Sequence, residues 1–207
     1  MATQLRRRYT LEEYFTLELA SEEKYEYFDG EVFCMSGVSP EHEQIIVNLI
    51  TQIKAKMRGR SCHVYPSKLR VIVPSQPPYR YPDLTALRDK PRYVKIGGID
   101  ALTNPSFIVE VLSPSTEAYD RGDKFTPYKS IESFIEYLLI AQHRPHVTHF
   151  VKQSNNLWTH EEFNDMSDAF RLVTLDCELR LRDIYTDVEF PPPIPPPSDE
   201  RPEDWER

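Results

Sequence analysis

The sequence has no apolar run approaching the roughly 18 residues that a membrane-crossing helix needs. Its start, MATQLRRRYTLEEYF, has an arginine cluster with no apolar stretch behind it. That excludes a secretory signal, so the protein is expected to stay in the cytoplasm where it is made, with no membrane partner. Cysteine is scarce: Cys34, Cys62 and Cys177 are odd in number, widely spaced and free of any CxxC pair. Neither a disulfide framework nor a zinc site is suggested, and all three read as small buried hydrophobes. Positive charge is also in deficit. The net charge is −8, which argues against a passive nucleic-acid coat. An enzyme can still engage DNA with that balance if its cleft is locally basic and metal ions offset an acidic site.

What is present fits one domain with an appendage. The chain has 207 residues, 40% of them hydrophobic, enough for a real core. The one compositional break comes at Pro191, where the chain reads PPPIPPPSDERPEDWER and holds seven of the 18 prolines. Residues 1–190 therefore read as the domain and 191–207 as an acidic, polyproline-like tail. No internal repeat is visible.

Within the domain, Thr10 and Glu13 have capping-box spacing and open a helix running to about Leu19. Asp29-Gly30, between aromatic and β-branched runs in KYEYFDGEVFCMSG, predicts a hairpin. Ser39-Pro40 start a second helix with Ile45, Leu49, Ile53 and Met57 at helical spacing, and Gly59 stops it. Strands follow: KLRVIV, PDLTAL, FIVEVL (107–112), FIEYLLI (134–140), HVTHFVK (146–152) and NLWTHEEF (156–163). A short helix is expected from about Asp123, with Pro127 in its first turn. LDCELRLRDIY (175–185) reads as a strand and a closing helical turn. The order predicts an α/β (mixed α+β) domain, a mixed sheet with helices packed on it.

Glu110 is the most informative residue. It lies inside the apolar run FIVEVL, and strand alternation puts it on one face with Ile108 and Leu112, opposite Phe107, Val109 and Val111. A lone buried carboxylate costs several kcal/mol at least, so Glu110 must be paired, protonated or bound to a cation. Asp83 follows Pro82 at the start of a strand. A carboxylate there, beside one on a neighbouring strand, makes a pair of hard oxygen ligands of the kind Mg²⁺ and Mn²⁺ prefer. Glu31 directly follows the hairpin turn and joins them if the hairpin folds back over the acids. Asp120, Lys124 and Tyr128 stack at i, i+4 and i+8 if that segment is helical, just after the Glu110 strand. An ammonium leaning over the acids could orient a water and offset phosphate charge. His42, near the start of the second helix, could hold a water or a carboxylate as a neutral imidazole. The other histidines share no metal-ligand spacing on a helix face and read as structural or surface residues.

Proline-aspartate, a buried strand acid and a nearby lysine form the pattern of the PD-(D/E)XK nucleases. The wider stretch, YEYFDGEVFCMSGVSPEHEQI, YPDLTAL, FIVEVLSPSTEAYDRGDKFTPY and FIEYLLI, resembles the Uma-two family of restriction-endonuclease-like proteins over roughly residues 9–190. The resemblance implies a restriction-endonuclease-like core and metal-dependent hydrolysis of phosphodiester bonds, with DNA as substrate. It implies Asp83, Glu110 and Glu31 as ligands of Mg²⁺ or Mn²⁺, Lys124 as the catalytic lysine, and His42, Asp120 and Tyr128 in support. Glu-x-Lys would put lysine at position 112, where this chain has Leu112, whereas the Uma-two pattern carries it on the following helix. Cutting two strands makes a homodimer an expectation, and Arg70, Arg80 and Arg121 are candidates to grip the backbone. Two other readings stay open: a nuclease fold that binds nucleic acid or a protein without cutting, and a structural module in which Glu110 simply pairs with Lys124 while Asp83 caps a turn.

Overall fold

The structure, a computed structural model, describes residues 7–35, 37–114 and 116–192. The tail beyond Pro192 lies outside the described residues. Among them, no helix is long and apolar enough to cross a membrane.

The first helix, α1 (Leu11–Ala20), starts on the expected capping box. The Thr10 hydroxyl accepts from the Glu13 N–H at 3.2 Å, and the Glu13 carboxylate accepts from the Thr10 N–H at 2.9 Å. Strands β1 (Tyr25–Phe28) and β2 (Glu31–Cys34) form the predicted hairpin. Its turn has φ of 44° at Asp29 and 83° at Gly30. Glycine takes such angles freely and aspartate is among the few side chains that tolerate them. Next comes α2 (Pro40–Lys56), with Ser39 as its cap, Pro40 in the first position, and Ile45, Leu49 and Ile53 fully buried.

The strands that follow are β3 (His63–Pro66), β4 (Arg70–Val71), β5 (Leu84–Leu87), β6 (Tyr93–Ile96), β7 (Ile99–Leu102), β8 (Phe107–Leu112), β9 (Glu136–Ala141), β10 (Val147–Lys152) and β11 (Trp158–Phe163). Six of them make one sheet in the order β11-β10-β9-β8-β5-β3. Only β8 and β9 run parallel; the other neighbours are antiparallel. A parallel pair needs a long crossover. Here it is a helical segment made of α3 (Glu117–Tyr119), a π-helical turn (Asp120–Lys124) and α4 (Phe125–Tyr128). The crossover that the topology requires is thus the segment that carries Lys124. A hairpin, β12 (Ala169–Leu172) with β13 (Cys177–Arg180), and the turn of helix α5 (Leu181–Ile184) close the domain.

Both sheet faces are buried. Phe107, Val109 and Val111 of β8 pack under α2 and the closing hairpin. Ile108 and Leu112 pack with Phe125, Tyr128, Phe134 and Tyr137. Glu110 therefore faces the crossover, as alternation predicts. A third cluster, Tyr14, Tyr79 and Tyr81, lies beneath α1 and the first hairpin.

The mixed sheet with flanking helices holds, but local expectations shift. KLRVIV is a strand only at Arg70–Val71, and Arg70 is buried rather than exposed. The helix expected from Asp123 begins at Glu117, so Pro127 is not in its first turn. The wider turn before Pro127 is what accommodates the missing N–H. Strands β3, β6, β7 and β12 have no counterpart in the sequence reading.

Arg70 explains its own burial. Its Nη2 donates to Glu18 Oε1 at 2.8 Å and its Nε to the Tyr81 hydroxyl at 2.6 Å. Tyr81 also donates to Glu18, whose other oxygen accepts from the Tyr25 N–H at 3.3 Å. Removing one member of a buried pair strands the other charge. Glu18→Ala is expected to destabilise the fold by about 3–5 kcal/mol in urea unfolding. A loss under about 1 kcal/mol, the range of an exposed pair, would contradict this account.

Candidate active site

Leu84 of β5 pairs with Val109 of β8. One step further along the ladder, Asp83 and Glu110 stand side by side. The Asp83 carboxylate turns toward β8 and accepts the Val111 N–H at 2.8 Å. Its other oxygen lies 3.4 Å from His42 Nε2, near the N-terminus of α2. Burial alone would raise the Asp83 carboxyl, but His42, Lys124 and the Val111 N–H outweigh it and hold it below the ordinary carboxylate range. The Asp83 side chain is 19% exposed, the most open of these acids.

Glu110 is 1% exposed. Tyr128 donates to its Oε1 at 2.8 Å, and the Lys124 ammonium lies 2.9 Å from its Oε2. Burial pushes the Glu110 carboxyl well above its ordinary value, with Asp83 and Asp120 adding to the push against Lys124. Lys124 is equally buried, and Asp120 lies 3.6 Å from it, one turn back. Burial would lower the Lys124 value, but Glu110, Glu26, Asp120 and Asp83 outweigh it and keep the ammonium charged well above its ordinary range. Asp120 is raised, chiefly by burial.

Of the predicted stack, Lys124 and Tyr128 thus meet Glu110, and Asp120 meets Lys124. Its turn is clamped from outside. The Tyr137 hydroxyl donates to the Asp120 carbonyl at 3.1 Å. Arg121 reaches Glu117 at 2.9 Å, and Thr148 and His146, both on or beside β10, at 3.1 Å each. Arg121 is therefore engaged within the fold, as is Arg70, and neither is placed to grip a backbone. Arg80, at 1% exposure, donates to the carbonyls of Tyr27 and Tyr79 at 2.8 and 3.0 Å.

Comparisons with known proteins give the family and the fold. The profile of the Uma2 (Uma-two) family, described as "Putative restriction endonuclease", matches residues 11–182. The chain belongs to this family. Two Synechocystis proteins, each described as uncharacterized, are similar to it. One is 34% identical over 179 residues, covering 86% of this chain and 92% of its own. The other is 32% identical over 149 residues, covering 72% and 84%. The fold is that of the crystal structure of a "putative nuclease" from Anabaena variabilis, with a TM-score of 0.65 at 18% identity, over 86% of this chain and 97% of that one.

The Uma2 resemblance also implies Glu31, on the first hairpin. Glu31 opens β2, directly after the hairpin turn, and is partly exposed. The hairpin acid whose charge acts on Lys124 and Asp120 is Glu26, in β1 and 3% exposed. Sequence reasoning passed over it. The signal was an acid between two tyrosines in a strand, which alternation alone cannot distinguish from a solvated one.

Among the described residues, no three His, Cys, Asp or Glu side chains group so as to hold a metal ion. A Mg²⁺-type ion does not need three, since it keeps several waters and uses one or two carboxylates with substrate phosphate. The charge balance suits one: Glu26, Asp83, Glu110 and Asp120 outnumber the permanent cations Lys124 and Arg80. Asp83 and Glu110 are the pair whose oxygens would hold it.

The lowered Asp83 value has a consequence for acid stability. A carboxyl depressed in the folded state stabilises the fold above its unfolded value, about 3.9, and loses that contribution as pH falls through the folded value. Asp83→Asn is therefore expected to flatten the fall in stability below about pH 4. Unfolding free energies measured across that range, parallel in both proteins, would show that Asp83 is not held this way.

Proposed function

We propose that this chain is a metal-dependent endonuclease that hydrolyses phosphodiester bonds in DNA. The carrying observation is Lys124, buried 2.9 Å from Glu110, which neighbours Asp83 across the β5–β8 ladder. Two adjacent carboxylates and an ammonium are the minimum set for metal-assisted attack on a phosphodiester. Membership of a family described as restriction endonucleases supports the same reading.

Asp83 and Glu110 would hold Mg²⁺ or Mn²⁺. When bound, the metal lowers the pKa of a coordinated water and offsets phosphate charge. His42 and the Val111 N–H fix the Asp83 carboxylate. Tyr128 fixes Glu110 by holding Oε1, which leaves a second lone pair on that oxygen. Lys124 orients the attacking water or neutralises charge that grows on the phosphate. Asp120 and Tyr137 keep the turn that carries Lys124 in register. The position that Leu112 occupies belongs to the apolar cluster, so the lysine arrives from the crossover rather than from two residues along β8.

One observation favours a second reading. Both Glu110 oxygens already have partners, Tyr128 and Lys124, as a purely structural pair would. In that case the fold binds nucleic acid or a protein without cutting.

A plasmid-nicking assay separates the two. Cleavage is expected with Mg²⁺ or Mn²⁺ and none with EDTA. Asp83→Ala, Glu110→Gln and Lys124→Met should each lower the rate at least about 100-fold. No cleavage by the unmodified chain, or the same residual cleavage in it and all three variants, sinks the endonuclease reading.

A further inference from the structure

His146 lies just before β10 and is 5% exposed. Its Nδ1 is 2.6 Å from Asn164 Oδ1. Its Nε2 is 3.1 Å from Arg121 Nη2 and 3.2 Å from the Thr148 hydroxyl, which itself accepts from Arg121 Nη1 at 3.1 Å. A guanidinium has donors and no acceptor, so Nε2 must accept. The proton of the ring therefore sits on Nδ1 and is donated to Asn164. A proton on Nε2 would set one N–H against another. The backbone of His146 is also pinned, because its N–H donates to the Tyr185 hydroxyl at 3.1 Å.

The place where the Arg121 fork lands gives this contact its use. Thr148 pairs with Leu139 of β9, and Leu139 pairs with Glu110 of β8. Residues paired across a sheet share a face. Arg121 thus reaches the rung of the sheet that carries Glu110, two strands away. Arg121 itself is the second residue of the π-helical turn that ends at Lys124. Such a turn is rare, and relaxing it to regular helix would rotate Lys124 relative to Glu110. Arg121 Nε donates to Glu117, but that residue lies on the same crossover and cannot fix it to the sheet. Among the contacts of Arg121, Thr148 and His146 are the ones that tie the turn to the strands.

We propose that Arg121 and His146 are positioning residues of the site: the imidazole, protonated on Nδ1, accepts from the guanidinium and holds the lysine turn over the rung that carries Glu110. The effect on cutting rests on the endonuclease reading above. The effect on the turn does not.

The test uses the full chain with His146→Asn, His146→Gln, Arg121→Met and the double variant His146→Asn with Arg121→Met. Asparagine keeps a polar group near the Nδ1 position and leaves nothing at Nε2, whereas glutamine carries an oxygen to the Nε2 position. In the unmodified chain at pH about 8, above the ordinary histidine range, ¹⁵N spectra should show His146 protonated on Nδ1 and bare on Nε2. A proton on Nε2 overturns the proposal. In the metal-free protein, amide exchange at residues 122–125 should quicken about tenfold in His146→Asn and in Arg121→Met, a partly exposed site, and stay within about twofold of the unmodified chain in His146→Gln. Unchanged exchange in Arg121→Met overturns the proposal, and so does equal quickening in His146→Asn and His146→Gln, since that is a general loss of packing. Single-turnover nicking with Mn²⁺ should fall roughly tenfold or more in His146→Asn and Arg121→Met, with most of the rate kept in His146→Gln. Adding His146→Asn to Arg121→Met should cost less than about twofold more, because the ring acts through the guanidinium. A full further loss overturns that coupling. If the unmodified chain cuts nothing, the endonuclease reading fails, and amide exchange still decides whether His146 and Arg121 hold the turn.

Discussion

A carboxyl group inside an apolar strand must be paired, protonated or bound to a cation, and the rest of this architecture follows from meeting that need at Glu110. The strand is buried on both faces, so no solvent can supply the charge. A parallel neighbour, β9, forces the chain to cross over the sheet after β8. The crossover lands on the Glu110 face and brings Lys124 and Tyr128 to its two oxygens. Topology and electrostatics therefore ask for the same segment in the same place.

The crossover itself departs from regular helix, and the departure has a use. A turn with i→i+5 spacing widens the helix and rotates the side chains that follow it. Here it spans Asp120–Lys124 and precedes Pro127, whose ring would clash in an uninterrupted α-helix. The turn is held by partners outside itself: Tyr137 on the Asp120 carbonyl, and Arg121 on β10 and Glu117. Lys124 thus has a fixed base even though its own side chain is long and flexible.

Much of this was legible in the sequence, for reasons specific to each residue. The period of two in FIVEVL assigns Glu110 its face, and that face is where the crossover packs. Spacing by four brings Asp120, Lys124 and Tyr128 together, and it survives the π-helical turn because the segment stays helical throughout. Asp29-Gly30 needs two positive φ values, which few other pairs accept. What escaped depends on distant partners. Arg70 reads as a surface arginine until Glu18, 52 residues away, is known to be beside it. Glu26 reads as a hairpin acid until Tyr81 is known to donate to it. Strand β6 is largely exposed, so its pattern carries little apolar period to detect.

The charges that make the site demanding to fold are also only partly offset within it. Glu110 and Asp120 are both pushed toward their neutral forms by burial, which means that their negative charge is under-compensated as the fold stands. Lys124 relieves part of this, and Arg80 little of it, since two of its nitrogens go unpartnered. An arrangement optimised only for stability would replace such acids with apolar side chains of similar size, which is often neutral or favourable for buried pairs. Keeping four of them around one lysine stores unfavourable electrostatics that added positive charge would relieve. Asp83 is where such relief would enter, because it alone of the four is appreciably open to solvent while touching both the β8 backbone and α2.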